Sequence, residues 1–207
     1  IWDRDDVVRL PDDAHTGQRW RIHEITPDFE LEDVWALPTP GGPHDFPQLV
    51  ELMACFDPGR ASSLPVRGLF LIRSLLGALL RWDRPQTGVG GRVPGLRDRL
   101  PGDLRRGVPE HLADLAPFST VYLLENEWAL ELANQTVHGV LHLGWVPDGA
   151  GFYRGQMAVL VKPNGVLGQA YMAAISPFRH LIVYPTIMRD IERRWSRPPA
   201  EPLPAAA

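Results

Sequence analysis

The chain has 207 residues, 44% of them hydrophobic, and a formal net charge of -4. That length is typical of one domain with a substantial core. The negative balance provides no general basic field, so we expect neither a nucleic-acid nor a membrane partner. A single cysteine, Cys55, excludes an intramolecular disulfide, and its apolar neighbours predict a buried, inert thiol.

The ends of the chain are predicted to be loosely held. Residues 1–18 are polar and acidic, and we expect a flexible arm there; residues 196–207, rich in proline and alanine, are expected to be a disordered tail. This leaves 19–195 as a single domain. The opening residues lack the basic-then-apolar order of a signal peptide, which favours a cytoplasmic location. The first residue is not methionine, so a removed N-terminal segment is an open alternative.

The first half of the domain predicts one extended stretch and two helices. Residues 20–37 partly alternate apolar and polar side chains, as a half-buried strand does. After a Pro/Gly-rich break, Asp45 can cap a helix over 45–56. A wide apolar face predicts a second helix over 66–82. Residues 84–117 are rich in Gly, Pro and Arg and are predicted to form a loop or lid, because long unstructured segments in compact domains are usually functional or disordered.

The second half predicts an antiparallel meander and a long C-terminal helix. Between the last two strands, Pro147-Asp148-Gly149-Ala150-Gly151 is a strong turn signal. The pattern is helical from about 167 to 195, where Pro185 either kinks the helix or marks a break between two helices. Four strands are expected in three apolar runs: 120–124, 128–145 and 152–162.

Alternation along the predicted strands assigns one apolar face to the sheet. That face is rich in Trp, Tyr and Met, and we expect the C-terminal helix to cover it incompletely. The result would be an α+β fold with an apolar cavity that binds a hydrophobic or aromatic small molecule. The predicted ligand-binding side chains are Trp35, Trp128, Leu130, Leu132, Leu141, Leu143, Trp145, Tyr153, Met157, Val159, Leu181, Tyr184 and Met188.

No complete catalytic motif is present, and four side chains are candidate acids or bases. Glu131 and His138 share a predicted strand face, where they form either a polar ladder across the sheet or an acid–base pair. His180 and Tyr184 on the final helix are assigned to a ligand gate. On a strand, His138 and His142 would lie roughly 13 Å apart, too far to share one metal ion. We therefore expect no metal or other cofactor, and expect both histidines on a solvent-facing side.

Four carboxylates cluster at the first predicted strand: Asp28, Glu30, Glu32 and Asp33. Their spacing is typical of a solvated strand edge. A paired-carboxylate catalytic site is the alternative.

Three blocks of the sequence carry a family resemblance. They are PDFELEDVWALP at 27–38, ANQTVHGVLHLGW at 133–145, and residues 157–164 followed by PFRHLIVYP at 177–185. Over about residues 20–195 these blocks resemble the DUF2867 family, an uncharacterised bacterial group. The resemblance implies a helix-grip fold of the SRPBCC, START and Bet v 1 type, in which an antiparallel sheet wraps a long C-terminal helix around an apolar cavity. The insert at 84–117 departs from the simplest pattern and leaves the strand count open.

Several functions are compatible with these expectations. The leading hypothesis is the binding of a hydrophobic small molecule in the cavity. Its sharper version is a cofactor-independent cyclase or isomerase of secondary metabolism, which holds a polyketide- or terpenoid-like substrate in a productive shape with acid–base assistance. The alternatives are a non-catalytic ligand carrier and a structural or interaction module. Substrate identity and oligomeric state are not predicted.

Overall fold

The computed structural model of the protein describes residues 8–55, 93–105, 107–115, 117–133, 137–149 and 151–196. They form an antiparallel sheet with several helices, which confirms the predicted α+β class. The strands are β1 (Glu30–Ala36), β2 (Asp114–Leu115), β3 (Phe118–Leu123), β4 (Glu127–Ala133), β5 (Val137–Pro147) and β6 (Tyr153–Pro163). The α-helices are α1 (Asp13–Thr16), α2 (Ile22–Ile25), α3 (Phe46–Ala54), α4 (Glu110–Ala113), α5 (Gly165–Phe178) and α6 (Tyr184–Trp195).

The six strands follow the order β1-β6-β5-β4-β3-β2, and every neighbouring pair is antiparallel. Strands β3 to β6 form the predicted meander. The β5–β6 turn contains Gly149 and Gly151 at φ of 83° and 88°, a left-handed region that favours glycine. β1, from the first half of the chain, pairs with the last strand, so the sheet joins both halves.

The sheet is covered on both faces. One, which we call the helix face, packs against α3 and α6; the other, the cover face, packs against residues 8–25 and 93–104. Buried strand side chains of the helix face are Trp35, Trp128, Leu130, Leu143, Trp145 and Met157. Those of the cover face include Val34, Ala36, Tyr122, Ala129, Val140, Ala158 and Leu160. The apolar face predicted from alternation is therefore the helix face.

The N-terminal residues pack onto the sheet. Ile22 and Ile25 belong to the stretch predicted as extended, but the structure places them in the helix α2. Their spacing of three residues puts both side chains on one buried side of that helix. Residues 8–18, part of the predicted flexible arm, lie against the sheet with Leu10 and His15 buried. The backbone N–H of Leu10 donates to the carbonyl of Val34 at 2.8 Å, so this segment borders β1.

The predicted loop over 84–117 is ordered in the part that the structure describes. It contains 3-10 turns at Leu96–Arg99 and Gly102–Leu104, then α4 and β2. Leu96, Leu100 and Leu104 are buried in the cover face. Leucines at every fourth position thus hold this Gly/Pro-rich segment against the sheet.

The helix predicted over 45–56 is observed as α3. It ends at Ala54, so Cys55 follows as an exposed C-cap residue, and the prediction of a buried thiol is wrong. The predicted helix over 66–82 and the part of the predicted tail beyond residue 196 lie outside the described residues.

The C-terminal segment is helical but not uniform. A π-helical turn, Arg179–Val183, separates α5 from α6, and Pro185 occupies the first turn of α6. The wider π turn shifts the phase of the helix, so the buried stripe runs through Tyr184, Met188 and Ile191. Leu181, which is predicted to bind ligand, is 77% exposed and does not belong to this buried stripe.

Candidate functional site

Asp33 is a fully buried carboxylate on the helix face of β1. The pairing of β1 with β6 shifts register just before it: Leu31 lies opposite Leu160, whereas Asp33 lies opposite Val159. The extra residue in this β-bulge leaves Asp33 on the same face as Trp35. Bulges commonly re-aim a side chain next to a functional site.

Three side chains of the C-terminal segment and one from the N-terminal residues reach this carboxylate. Nε2 of His180 lies 2.6 Å from Oδ1 of Asp33, and the hydroxyl of Tyr184 donates to Oδ2 at 3.0 Å. Arg179 lies 3.3 Å from Oδ2, and Arg9 lies 3.4 Å from Oδ1. A carboxylate removed from water is costly unless it is paired and hydrogen-bonded. These four partners allow Asp33 to be fully buried.

Both ring nitrogens of His180 face hydrogen-bond acceptors. Nδ1 lies 2.8 Å from the carbonyl oxygen of Ser176, which can only accept, so Nδ1 carries a hydrogen. Nε2 faces the Asp33 carboxylate at 2.6 Å, a contact that also needs a proton. The pair therefore holds one proton more than a neutral imidazole beside an ionised carboxylate. The His180 side chain is 27% exposed, so this proton lies near the surface.

Aromatic rings border the Asp33–His180 pair. The ring centroid of Trp35 lies 4.7 Å from that of Tyr184 and 6.2 Å from that of His180. Burial raises the pKa of the Tyr184 phenol above its ordinary value, and the charge of Asp33 raises it further. Tyr184 is thus a hydroxyl donor, and the acid–base pair adjoins the apolar cluster of the helix face.

The other two candidate catalytic side chains lie on the opposite face of the sheet. Nε2 of His138 and Oε2 of Glu131 are 3.0 Å apart, and the backbone N–H of Leu96 donates to both carboxylate oxygens at 3.2 and 2.9 Å. Both side chains are buried, so the expectation that His138 faces solvent is wrong. Gln156, on the same face, donates to the carbonyl of Ala14 at 3.1 Å and contacts neither of them by a hydrogen bond. The four candidates do not form one site.

A second buried carboxylate on β4 was not anticipated. Oε2 of Glu127 lies 3.0 Å from Nε2 of His142 and accepts from the Tyr122 hydroxyl at 2.9 Å; the backbone N–H of Arg21 donates to both carboxylate oxygens at 3.1 Å. Nδ1 of His142 faces Nε2 of His15 at 3.1 Å. His142 is therefore also buried rather than solvent-facing. A repeat was the available signal, since Glu127 and Glu131, like His138 and His142, are four residues apart.

Burial sets the protonation of this chain of groups. It lowers the pKa of His15 to about 3, with further lowering by the neighbouring His142, and it lowers the pKa of His142. Burial by itself raises the pKa of Glu127. The hydrogen bonds from His142, the Arg21 backbone and Tyr122 outweigh burial, so the pKa of Glu127 is lowered overall. We conclude that the two histidines are neutral and the carboxylate is ionised at neutral pH.

Most predicted ligand-binding side chains lie together on the helix face. Leu141 and Tyr153 are partly buried against the same cluster, Leu132 is half-buried, and Val159 packs partly against Val161 and Met172. The buried members are Trp35, Trp128, Leu130, Leu143, Trp145, Met157, Tyr184 and Met188.

The described residues include no group of three or more His, Cys, Asp or Glu arranged to hold a metal ion. Among the helices that the structure describes, none combines the length and apolar character needed to cross a bilayer.

One comparison with known proteins gives a match. The family described as "Protein of unknown function (DUF2867)" matches residues 25–186, a range that contains Asp33, both β4 carboxylates, His180 and Tyr184. No curated protein and no solved structure matches the chain.

Proposed function

Because the chain belongs to the DUF2867 family, whose description assigns no function, we propose a function from its own geometry. The protein binds a hydrophobic or aromatic small molecule against the helix face, and the Asp33–His180 pair acts on that molecule as acid and base. The observation that carries the proposal is the 2.6 Å contact between Oδ1 of a fully buried carboxylate, Asp33, and Nε2 of a partly exposed imidazole, His180.

The surroundings of the pair support ligand binding. Small-molecule sites are mostly apolar, with a few polar groups that fix orientation. Here Trp35, Tyr184 and Met157 supply apolar surface beside the two polar groups. β1 pairs with β6, and a helical C-terminal segment follows β6 in the chain. This order also supports the helix-grip arrangement, in which a sheet and its last helix enclose a cavity.

The chemistry that such a pair performs is proton relocation. The pair gives its proton to one atom of the ligand and recovers a proton from another position, so it is regenerated at the end of the cycle. The ligand gains and loses one proton and no electrons. Isomerisation and ring closure have this balance, and neither needs an oxidant or a reductant.

A carrier without catalysis is the second candidate. It is favoured by the completeness of the contacts around Asp33, whose two carboxylate oxygens face His180, Tyr184 and two arginines. In that case the pair would hold the C-terminal segment on β1 and would not react.

Deuterium uptake by a co-purified ligand tests the proposal. Protein purified without denaturation is first analysed by native mass spectrometry to detect a bound molecule. It is then incubated in D2O, and the mass of the released small molecule is measured. We expect a bound molecule that gains deuterium with the wild-type protein and with His111→Gln, a control in which an exposed histidine pairs with Glu51 at 3.2 Å. Asp33→Asn should retain the molecule and lose the uptake.

The outcomes separate the candidates. Equal uptake with Asp33→Asn would reject the acid–base role, and a bound molecule with no uptake in the wild type would favour the carrier. Protein that carries no small molecule would contradict both.

A further inference from the structure

The indole N–H of Trp35 is a buried donor that has no acceptor in the described part of the chain. Trp35 is 5% exposed, and its Nε1 has no hydrogen-bond partner among the residues that the structure describes. Leaving such a donor unpaired costs about 1–3 kcal/mol. Buried polar groups are normally paired, so an orphan donor beside a proposed site requires an explanation.

Tryptophans elsewhere on the helix face do have acceptors, so the fold can supply them. The other three described tryptophans of that face donate to oxygen atoms as follows: Trp128 to Oγ1 of Thr120 at 3.1 Å, Trp145 to the carbonyl of Gly42 at 3.0 Å, and Trp195 to the carbonyl of Pro40 at 3.0 Å. Trp35 differs from them in lying next to the Asp33–His180 pair.

We propose that the missing acceptor is a carbonyl oxygen of the ligand, so the ligand class is an apolar or aromatic ketone, aldehyde or ester. This inference rests on the proposed function and specifies its substrate. The indole N–H of Trp35 can only donate, so its missing partner must be an acceptor. A carbonyl oxygen accepts two hydrogen bonds and brings no donor of its own. A hydroxyl would add a donor, and both oxygens of Asp33, which shares the helix face with Trp35, are already engaged.

A pair of probes that differ in one carbonyl tests the inference. 2-Acetylnaphthalene and 2-ethylnaphthalene have similar size and apolar surface, and only the first offers an acceptor. We expect the wild-type protein to bind the acetyl compound about 5- to 100-fold more tightly. Trp35→Phe should bind both with nearly equal affinity. Trp195→Phe, which removes an indole that already has an acceptor in the Pro40 carbonyl, should keep the preference.

The wild-type protein offers a second measurement that does not depend on the folding of a variant. In a ¹H–¹⁵N spectrum, the indole N–H signal of Trp35 should move downfield with 2-acetylnaphthalene and stay in place with 2-ethylnaphthalene. Equal affinities in the wild type, a preference that survives in Trp35→Phe, or an unmoved indole signal would overturn the carbonyl assignment alone. Failure of both naphthalenes to bind the helix face would count against the assignment and against the proposed function.

Discussion

Glu127 and Glu131, four residues apart on β4, are bound in the same way on the cover face. The carboxylate of each lies 3.0 Å from a histidine of β5. Each also accepts the backbone N–H of a covering segment, from Arg21 in the first case and Leu96 in the second. Hydrogen bonds to ionised acceptors are about twice as strong as neutral ones. The repeat therefore ties both covering segments to the same strand.

Acid should weaken the fold well above the pH at which carboxylates usually protonate. The folded protein keeps His15 neutral down to about pH 3, whereas the unfolded chain binds a proton near 6.5. Below about pH 6.5 the unfolded state thus binds more protons, and the free energy of unfolding falls as pH falls. The loss is about 1.4 kcal/mol per pH unit for each neutral buried histidine. Urea unfolding between pH 7.5 and 5 measures it.

His15→Gln isolates the contribution of that residue. Its unfolding free energy should depend less steeply on pH, by about 1.4 kcal/mol per unit. His111→Gln, a substitution at an exposed position, should leave the slope unchanged. A slope that is the same in all three proteins would reject the assignment of neutral histidines.

Two glycines of β5 should respond differently to alanine. A Cβ at Gly144 would lie 2.7 Å from the indole of Trp20, which is buried in the cover face, so we expect Gly144→Ala to cost about 1–3 kcal/mol. A Cβ at Gly139 would meet its neighbours at 3.9 Å or more, an ordinary contact. Gly139→Ala should change stability by less than about 0.5 kcal/mol. Thermal unfolding of the two variants compares them, and equal losses would contradict the packing described for Trp20.

The C-terminal segment offers a similar comparison. Met188 is 1% exposed and Leu181 is 77% exposed, although both were predicted to face the ligand. Met188→Ala should destabilise the protein by about 2–5 kcal/mol, and Leu181→Ala by less than about 0.5 kcal/mol. Chemical denaturation gives both values. Comparable losses would show that the π turn does not set the buried stripe as described.

The helix face could be predicted from the sequence because alternation is a local property. Trp128 and Leu130 point the same way in any regular strand that contains both, and so do Leu141 and Leu143 in the next strand, whatever the rest of the chain does. The order of the strands in the meander follows from the apolar runs at 120–124, 128–145 and 152–162 and from the glycine-rich turn before Phe152.

The cover face could not be predicted in this way, because its partners are remote in sequence. Glu127 pairs with the backbone of Arg21, 106 residues earlier, and Leu96 closes over Glu131. On a strand, a glutamate and a histidine facing each other look equally suited to water and to mutual pairing. Only the position of the covering segments determines whether such a glutamate and histidine face water or form a buried pair.

Local irregularities account for the remaining errors. A bulge separates Leu31 from Asp33, so Leu31 faces away from the carboxylate that shares the helix face with Trp35. The spacing of Asp33 from Trp35 was the available signal, but the neighbouring carboxylates suggested a solvated edge. In the C-terminal segment, the π turn that contains Leu181 leaves its side chain outside the buried stripe.

The most direct test is a count of the ring protons of His180 by ¹H–¹⁵N correlation in protein labelled at histidine. At neutral pH we predict a proton on Nδ1 and a second, strongly downfield proton between Nε2 and Asp33, which disappears in Asp33→Asn. A single ring proton, with an unprotonated Nε2 and no proton shared with the carboxylate, would contradict the acid–base pair on which the proposed function depends.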